Sequence, residues 1–419
     1  MLNEEPLAVY SLHFDRGETD GDAIALWDPV TDTRLGELPE WIRERRAEPI
    51  AYVRGARPSV RVTLLANHFV PTSFDLSAFG PALGGEGTFR WVGPHPVCLE
   101  RTAGWSTLPE PVAFNRPLPD RIGLHALELQ WYAEWTDDRG TARRLFLGDT
   151  RHELYTTGAP MEHGLPGAPP SGAYAPLMRW SSRWCAGLEN RKAVCDALLR
   201  GLAETRMQYG LPAWSVRHML LAGGGMCGGW YQLFQQLANC QGVTVEGRTL
   251  HLVPGHDPRT DEVRWEALVA AAPGLNQFEP GKQTRFLGGF NDCVRYPFAP
   301  DEPVELLTRQ EARYCFLAGW DDGHSINFLE DGGRLYLYDP SFRTEAIALD
   351  MPLPAPDGEP VTLGPRSPFR RDYLHQAMPW VMGTLRANGR LWDVDVGRGR
   401  FGITVKTEHV PELAISWTR

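Results

Sequence analysis

The sequence predicts a two-domain fold, in which an all-β domain is followed by an α+β domain. Apolar and polar residues alternate through much of residues 50–157, as in β-strands that bury one face. Residues 158–177 are rich in proline and glycine and interrupt this pattern. Beyond them, apolar residues recur first at helical spacing, and strand-like alternation returns later. Helices followed by strands are typical of an α+β domain.

Three segments carry the strand pattern of the first domain: PSVRVTLLAN, HALELQWYAEW and RRLFLGDTRHELYTT. In the first of them, Val60, Val62 and Leu64 lie on one side and polar residues on the other. Segments rich in Pro, Gly and Asp separate the strands, and no long helical pattern interrupts them. We therefore predict an antiparallel, immunoglobulin-like β-sandwich over residues 1–157. The segment LPEWIRERRAEP near residue 40 suggests a short helix ahead of these strands.

Residues 158–177 are interpreted as a linker, which leaves residues 178–419 for the second domain. Its first helix is indicated by one apolar face, made of Val194, Ala197, Leu198, Gly201 and Leu202. A second helix is predicted from about Gly228 to Asn239. Strand-like segments follow in the order VTVEGRTLHLV, EARYCFLAGW, HSINFLE, RLYLYDP and GRLWDVDVGRGRFGITVKT.

Charge and hydropathy exclude several classes of protein. The 419 residues carry a formal net charge of −10, whereas a general nucleic-acid binder needs a basic face to meet phosphate. No segment approaches the ~20 apolar residues of a membrane-spanning helix. The acidic N-terminal segment lacks the apolar core of a secretion signal. We therefore expect a cytoplasmic protein that binds neither nucleic acid nor membrane, although export without a cleaved signal would leave no trace in this segment.

Seven cysteines are spread through the chain, and no CxxC pair occurs. Neither a disulfide framework nor a structural zinc site fits that spacing. We therefore expect reduced cysteines and a protein that needs neither a metal ion nor an organic cofactor.

One cysteine stands out by its surroundings. The segment LAGGGMCGGWYQLF places five glycines around Cys227, directly before the second predicted helix. A helix N-terminus favours the thiolate, which is the nucleophilic form of cysteine, and its backbone N–H groups can hold an oxyanion. A buried structural cysteine in a tight turn would explain the same segment. Taken alone, the segment leaves both interpretations open.

A histidine and an aspartate farther along the chain favour the nucleophile. His324 lies near the start of one predicted strand and Asp339 at the end of the next, with the turn EDGG between them. Antiparallel pairing of these strands would bring the two side chains together. The carboxylate could then orient the imidazole, which would activate the thiol of Cys227. The sequence therefore predicts a catalytic triad of these three residues.

These segments resemble the transglutaminase-like superfamily of papain-like cysteine enzymes. The resemblance covers about residues 180–345 and rests on GMCGGWYQLFQQLANCQGVTVEGR and GHSINFLEDGGRLYLYDPSF. It implies a papain-like α+β fold for the second domain. It also implies that Cys227 is the nucleophile, His324 the general base and acid, and Asp339 the residue that orients the histidine.

The activity that the resemblance implies is acyl transfer at a protein or peptide carboxamide. The thiol would form a thioester and pass the acyl group to an amine or to water, without a cofactor. Two features depart from the family pattern. Ser325, Ile326 and Asn327 follow the histidine, where relatives often have a small residue, Trp and an acidic residue. An insertion near residues 254–305 also lengthens the interval before His324, and it either shapes the cleft or decorates the surface.

Two alternatives use the same residues differently. The triad would equally serve a cysteine protease, a peptide hydrolase or a deamidase, because access of water to the thioester cannot be read from sequence. The second domain could instead be an inactive binding module. In either case, the β domain is expected to dock a partner protein or substrate. Trp184 and Trp214 precede the nucleophile and are either indole N–H donors to an oxyanion or packing residues. Cys293 is interpreted as structural.

Overall fold

The computed structural model describes residues 6–14, 22–66, 71–99, 104–205, 207–209, 211–252, 323–341, 344–349, 351–355, 358–363 and 367–377, together with short strands between 269 and 306 and between 382 and 417. The molecule is β-rich, with several sheets and few helices. Its contacts divide the chain into two compact units. The first comprises Met1–Val194 and Leu237–Val243, and the second comprises Cys195–Gln236 and Thr244–Arg419. The predicted domain boundaries stay a prediction.

The first unit contains the strands β1 Leu7–Phe14, β2 Leu26–Asp28, β3 Thr33–Arg34, β4 Trp41–Ile42, β5 Arg46–Ala47, β6 Ile50–Val53, β7 Ser59–Ala66, β8 Ser73–Pro81, β9 Thr88–Cys98, β10 Gly104–Thr107, β11 Val112–Ala113, β12 Gly123–Thr136, β13 Ala142–Thr157 and β14 Ala173–Tyr174. One sheet has the order β10-β7-β1-β4-β5, with β11 also paired to β7. A second has the order β6-β13-β12-β8-β9, and a small third sheet has the order β14-β2-β3.

The two larger sheets of the first unit share one hydrophobic core. Val60, Val62 and Leu64 of β7 are fully buried, whereas Arg61 between them is exposed. The same alternation holds in β12, where the side chains of its apolar face are buried: Leu127, Leu129, Trp131. Both sets belong to a single cluster of buried side chains. The predicted strand segments of this region are confirmed, because burial of alternate side chains favours the extended backbone here.

The short helix expected near residue 40 is wrong. Strands β4 and β5 form a hairpin there, and Trp41 pairs with Leu12 of β1. Glu44 in the turn adopts φ 58°, a left-handed conformation that ends any helical path. Pairing with β1 therefore outweighs the helical preference of the charged residues.

The Pro/Gly-rich segment is ordered at several points within the first unit. The backbone N–H of Glu162 donates to Oδ1 of Asn239 at 2.8 Å, and Nδ2 of Asn239 donates to the Glu162 carbonyl at 2.8 Å. Helix α1, Ala175–Trp184, begins inside the predicted linker of residues 158–177. Its N-terminal turn contains Pro176, a residue that fits the first turn of a helix.

The remaining helices are α2 Arg191–Glu204, α3 Val216–Ala222, α4 Cys227–Asn239 and α5 Pro368–Ala377. The two helices predicted from apolar spacing, α2 and α4, are therefore confirmed, and α3 and α5 are additional. The remaining strands are β15 Gln208–Tyr209, β16 Gly224–Gly225, β17 Glu246–Leu252, β18 Val269–Ala270, β19 Gln283–Arg285, β20 Val294–Tyr296, β21 Val304–Leu306, β22 His324–Asp331, β23 Arg334–Tyr338, β24 Ile347–Leu349, β25 Val361–Leu363, β26 Met382–Ala387, β27 Arg390–Asp395, β28 Thr404–Val405 and β29 Leu413–Trp417.

The largest sheet of the second unit has the strand order β24-β23-β22-β17-β29-β25. Smaller sheets join β15 to β16, β18 to β28, β19 to β20, and β21, β26 and β27 in that order. The segment EARYCFLAGW lies outside the described residues. So does the predicted insertion near 254–305, apart from the backbone of β18, β19, β20 and the start of β21.

Helices α4 and α5 pack on opposite faces of the largest sheet. Phe234 of α4 stacks on Tyr338 of β23, with ring centroids 5.3 Å apart. Phe369 of α5 lies against Phe328 of β22, with centroids 6.5 Å apart. Phe328 pairs with Leu337, the neighbour of Tyr338, and successive side chains of a strand point to opposite faces. The sheet is thus covered by a helix on each side.

Candidate functional site

Cys227 is the first residue of α4, and its side chain is partly exposed. The N–H groups of the first turn of a helix have no partner within the helix, so they make this end favourable for a negative charge. The chain enters α4 from Met226, whose N–H donates to the Ala213 carbonyl at 3.0 Å. The backbone therefore agrees with the prediction that Cys227 lies at the N-terminus of a helix.

The glycines around Cys227 have separate structural roles. Gly223 ends α3 in the left-handed conformation, with φ 77° and ψ 28°, which glycine adopts at little cost. Gly225 and Gly229 lie where a Cβ atom would collide with Met219 and the Ala213 carbonyl. Gly228 lies beside the ring of Trp214. The glycines thus let residues 213–219 pack closely against the start of α4 while Cys227 keeps access to solvent.

His324 and Asp339 are brought together by the hairpin of β22 and β23. Asp331 pairs with Arg334, so Gly332 and Gly333 form a two-residue loop with φ 59° and 73°. Positive φ at both positions is typical of a type I′ turn, which matches the twist of the strands. His324 begins β22, and Asp339 directly follows β23. The expected hairpin is therefore present.

The resulting contact is direct and buried. Nε2 of His324 lies 2.8 Å from Oδ2 of Asp339, and both side chains have a relative exposure of 0%. A charged pair without access to water requires further hydrogen bonds to offset the loss of solvation. Oδ1 of Asp339 accepts from the backbone N–H of Ser341 at 3.0 Å, and the Asp339 N–H donates to Oγ1 of Thr344 at 3.0 Å.

The hydroxyl of Tyr373 supplies a further hydrogen bond, which sequence reasoning missed. It donates to Oδ2 of Asp339 at 2.8 Å, and Tyr373 is fully buried on α5. The sequence does contain a signal for this helix. Ser367 accepts from the N–H of Arg370, and Pro368 follows it, as at a capped helix start. The contact with Asp339, 34 residues earlier in the chain, has no local signal.

Cys227 joins this pair through His324. Burial of the imidazole lowers its pKa, but the charge and hydrogen bond of Asp339, followed by the hydrogen bond and charge of Cys227, outweigh burial and raise the pKa to about 10. Since Nε2 faces Asp339, Nδ1 is the ring nitrogen through which a proton can pass to or from the sulfur. The structure therefore places Asp339 against His324, and the interaction of Cys227 with the same imidazole would favour a thiolate–imidazolium pair.

The two tryptophans considered as oxyanion donors differ in their surroundings. Trp214 is 58% exposed, and its ring atoms Cε3 and Cζ3 are the ones that lie closest to Gly228. Its six-membered ring, rather than its N–H, therefore borders the start of α4. Trp184 belongs to the first unit, where its ring stacks on that of Trp180 with centroids 5.7 Å apart. Neither arrangement assigns an indole N–H to an oxyanion.

The other described cysteines lie in different environments. Cys98 is exposed, whereas Cys185, Cys195 and Cys240 are buried. Burial raises the pKa of the Cys240 thiol to about 12, which disfavours its thiolate. Cys293, which was interpreted as structural, lies outside the described residues.

Two further observations concern ligands and membranes. Among the residues that the structure describes, His, Cys, Asp and Glu side chains do not form a group of three that could hold a metal ion. No helix in the described part of the chain combines the length and the apolar character that crossing a bilayer requires.

A cavity of about 600 Å³ lies at the turn end of the β22–β23 hairpin. Its lining includes Glu246, Glu330 and Arg334. Glu330 lies six residues after His324 along β22, a distance of about 20 Å in an extended strand. The cavity is therefore separate from the Cys227–His324–Asp339 site.

No protein-family model matches this chain, and no curated protein matches it in sequence.

Proposed function

We propose that this protein is a transglutaminase-like cysteine enzyme that transfers acyl groups through a thioester. Its second domain would have a papain-like α+β fold, preceded by an immunoglobulin-like sandwich. One observation carries the proposal. The thiol at the start of α4 interacts with an imidazole whose other nitrogen is held by a buried carboxylate at 2.8 Å. This order of groups is what thiol nucleophiles require for activation.

The chemistry follows from the positions of the protons. The Cys227 thiolate attacks the carbon of a carboxamide, a C–S bond forms and the carbonyl oxygen takes the negative charge. Backbone N–H groups at the start of α4 are suited to hold that oxyanion. When the C–N bond breaks, the His324 imidazolium gives its proton to the leaving nitrogen, and ammonia or an amine departs.

The second half of the reaction returns the enzyme to its starting state. The neutral imidazole of His324 takes a proton from an incoming amine or water, which attacks the thioester carbon. The C–S bond breaks, the thiolate leaves, and a new amide or a carboxylic acid is released. The Asp339 carboxylate stabilises the imidazolium whenever it forms. A protein or peptide carboxamide is the proposed substrate, with the β domain as its docking partner, and no cofactor takes part.

Hydrolysis is the first alternative, because a cysteine protease, peptide hydrolase or deamidase would use the same three groups. The partly exposed side chain of Cys227 is compatible with entry of either water or an amine. An inactive binding module is the alternative from another class. Against it stands the buried His324–Asp339 pair, since such a pair is costly to desolvate and contributes little to stability on its own.

The test uses the full chain, a glutamine-rich protein with methylated lysines and a fluorescent primary amine. Amine incorporation, ammonia release and new protein termini are measured together for the wild type, Cys227→Ala and Cys98→Ala. We expect incorporation by the wild type and by Cys98→Ala, whose lost thiol is exposed in the first unit. Loss of incorporation in Cys227→Ala would support the proposal.

Each other result selects an alternative. Ammonia release without incorporation would indicate a deamidase, and new termini would indicate a protease. Incorporation by Cys227→Ala at the wild-type rate would rule out this nucleophile. A wild type that produces none of the three products, and whose Cys227 reacts with iodoacetamide no faster than Cys98, would indicate a binding module.

A further inference from the structure

Asp339 is contacted from the α5 side of the sheet by a tyrosine. The Tyr373 hydroxyl lies 2.8 Å from Oδ2, the same oxygen that faces Nε2 of His324 at 2.8 Å. Both Tyr373 and Asp339 have a relative exposure of 0%. Because water cannot replace the hydroxyl at this depth, the tyrosine hydrogen bond is a fixed part of the site.

The three donors around the carboxylate restrain it in different ways. The Ser341 N–H donates to Oδ1, while Tyr373 and His324 both donate to Oδ2. The Ser341 contact restrains one oxygen, and the Tyr373 hydroxyl is a second contact, besides His324, that restrains the position of Oδ2 relative to Nε2. Donation by a phenol also requires that the carboxyl oxygen act as the acceptor.

Helix α5 is well placed to hold the tyrosine. Phe369, one turn earlier, packs on Phe328 of β22, and Arg370 beside it is 1% exposed. Ser367 caps the start of the helix. The Tyr373 ring therefore belongs to a packed helix on the face of the sheet that carries His324, and its hydroxyl has little freedom to move away.

We propose that Tyr373 is a positioning residue of the candidate active site, which fixes the Asp339 carboxylate so that Asp339 can hold the His324 imidazolium next to Cys227. This inference rests on the proposed function. It adds Tyr373, a residue of α5, to the three residues of the predicted triad. Tyr373 would act through Asp339, whose carboxylate it contacts.

Removal of the hydroxyl should be detectable at the thiol. Without the Tyr373 hydroxyl, Oδ2 keeps only its contact with His324, so its distance from Nε2 is less restrained and the imidazolium loses part of its stabilisation. The thiolate would then require a higher pH to form, because the positive charge that favours it is less stable. The groups that set the proton affinity of His324 in the described residues are Asp339 and Cys227. The other buried charged residues on the adjoining elements are Arg370 on α5 and Arg248, which is ion-paired with Glu246, on β17.

The chain offers a matched control for this substitution. Tyr338 is also fully buried in the second unit, and its hydroxyl donates to an aspartate, Asp196, at 2.9 Å. Tyr338→Phe therefore removes a Tyr–Asp hydrogen bond of similar length, which is partly buried, without removing a contact of Asp339. Any effect shared by the two variants reflects stability alone.

The experiment measures iodoacetamide alkylation of Cys227 in the full chain from pH 4 to pH 9 by peptide mapping with mass spectrometry, with Cys98 as an internal reference. We expect Tyr373→Phe to move the midpoint upward by about one pH unit and to slow alkylation at acidic pH about tenfold, as loss of a hydrogen bond to a charged group would. Tyr338→Phe should keep the wild-type midpoint. Circular dichroism and thermal unfolding verify that both variants fold.

The outcomes separate this inference from the proposed function. If wild-type Cys227 reacts no faster than Cys98 at acidic pH, the proposed nucleophile fails and the inference fails with it. If the wild type shows the enhanced reactivity and Tyr373→Phe has an unchanged or lower midpoint, only the positioning role is overturned. If Tyr373→Phe does not fold, Tyr373→Met, which also lacks the hydroxyl, is measured instead; an upward shift of the midpoint supports the role, and a wild-type midpoint overturns it.

Discussion

Nε2 of His324 lies 2.8 Å from Oδ2 of Asp339, and neither side chain is exposed to solvent. The contact joins the first residue of one strand to the residue after the next strand. A buried carboxylate at this distance makes the imidazolium more stable than it would be alone, and Cys227 contributes in the same direction. The pair can therefore keep a positive charge near the thiol at neutral pH.

Asp339→Asn should reduce the reactivity of Cys227 at acidic pH. Burial lowers the pKa of His324, and the Asp339 charge is the largest influence that raises it, so loss of that charge should lower the pKa substantially. The imidazolium would then disappear at a lower pH, and the thiolate would form only at a higher one. We expect alkylation of Cys227 at pH 6 to slow at least about tenfold, since one pKa unit corresponds to a factor of ten.

The matched control for this variant is Asp331→Asn, which alters a carboxylate at the end of β22 opposite to His324. Its alkylation profile should coincide with that of the wild type. An Asp339→Asn profile that also coincides with the wild type would mean that the carboxylate does not act on the thiol.

Native alkylation should distinguish the described cysteines by their burial. Cys227 and Cys98 are accessible to different extents, whereas Cys185, Cys195 and Cys240 are buried. We expect iodoacetamide to modify Cys227 first and Cys98 more slowly at pH 6, and to reach the buried thiols only after unfolding in urea. Peptide mapping by mass spectrometry, before and after denaturation, measures this order. Rapid native modification of Cys240 would contradict the structure, because burial raises its pKa to about 12.

Gly229→Ala should destabilise the second unit, although alanine ordinarily favours a helix. A Cβ atom there would lie 3.0 Å from the Ala213 carbonyl and closer still to the sulfur of the buried Met219. Overpacking of this kind costs about 1–3 kcal/mol, which exceeds the roughly 1 kcal/mol that alanine gains over glycine in a helix. Urea unfolding of the full chain, followed by far-ultraviolet circular dichroism, measures the change.

The neighbouring glycine provides the comparison for that variant. In Gly228→Ala, the new Cβ would lie 3.2 Å from the ring of Trp214, which is 58% exposed and can shift outward. We expect Gly228→Ala to leave the free energy of unfolding unchanged or to raise it by up to about 1 kcal/mol. Equal stabilities for the two variants would show that residues 213–219 do not pack against α4 as described.

His152 should make the first unit sensitive to acid. Burial lowers the pKa of its imidazole to about 3, whereas in the unfolded chain the value is near 6.5. Below pH 6.5 the unfolded state therefore binds more protons than the folded state, so stability falls as the pH falls towards 3. Between pH 7 and pH 4, we expect this residue to reduce the free energy of unfolding by up to about 3 kcal/mol.

The measurement compares wild type with His152→Gln, which cannot take up a proton, and with the exposed His218→Gln. Urea unfolding is followed by tryptophan fluorescence, since the buried Trp131 donates to Thr150, which is also a hydrogen-bond partner of His152. His152→Gln should lose part of the pH dependence, and His218→Gln should keep it. A slope that is the same in all three proteins would contradict a buried neutral histidine.

Local pattern was sufficient where neighbouring residues along the chain decide the structure. Alternation located β7 and β12, helical spacing located α2 and α4, and the two glycines of the EDGG turn located the β22–β23 hairpin. Pattern was insufficient near residue 40, where pairing with β1 produces a hairpin in place of the expected helix. The charged residues there favour a helix, but antiparallel pairing with β1 stabilises extended backbone more strongly.

The sequence by itself determined that Cys227 begins a helix and that His324 and Asp339 lie at neighbouring ends of paired strands, because a turn and two periodicities fix those positions locally. Only the tertiary structure decided how deeply the His324–Asp339 pair is buried, which segment packs against the glycines of α4, and which residue completes the hydrogen bonds of Asp339. Tyr373 reaches that carboxylate from α5, 34 residues farther along the chain. Contacts of this kind depend on how a helix packs across a sheet, and no spacing within either segment encodes the partner on the other.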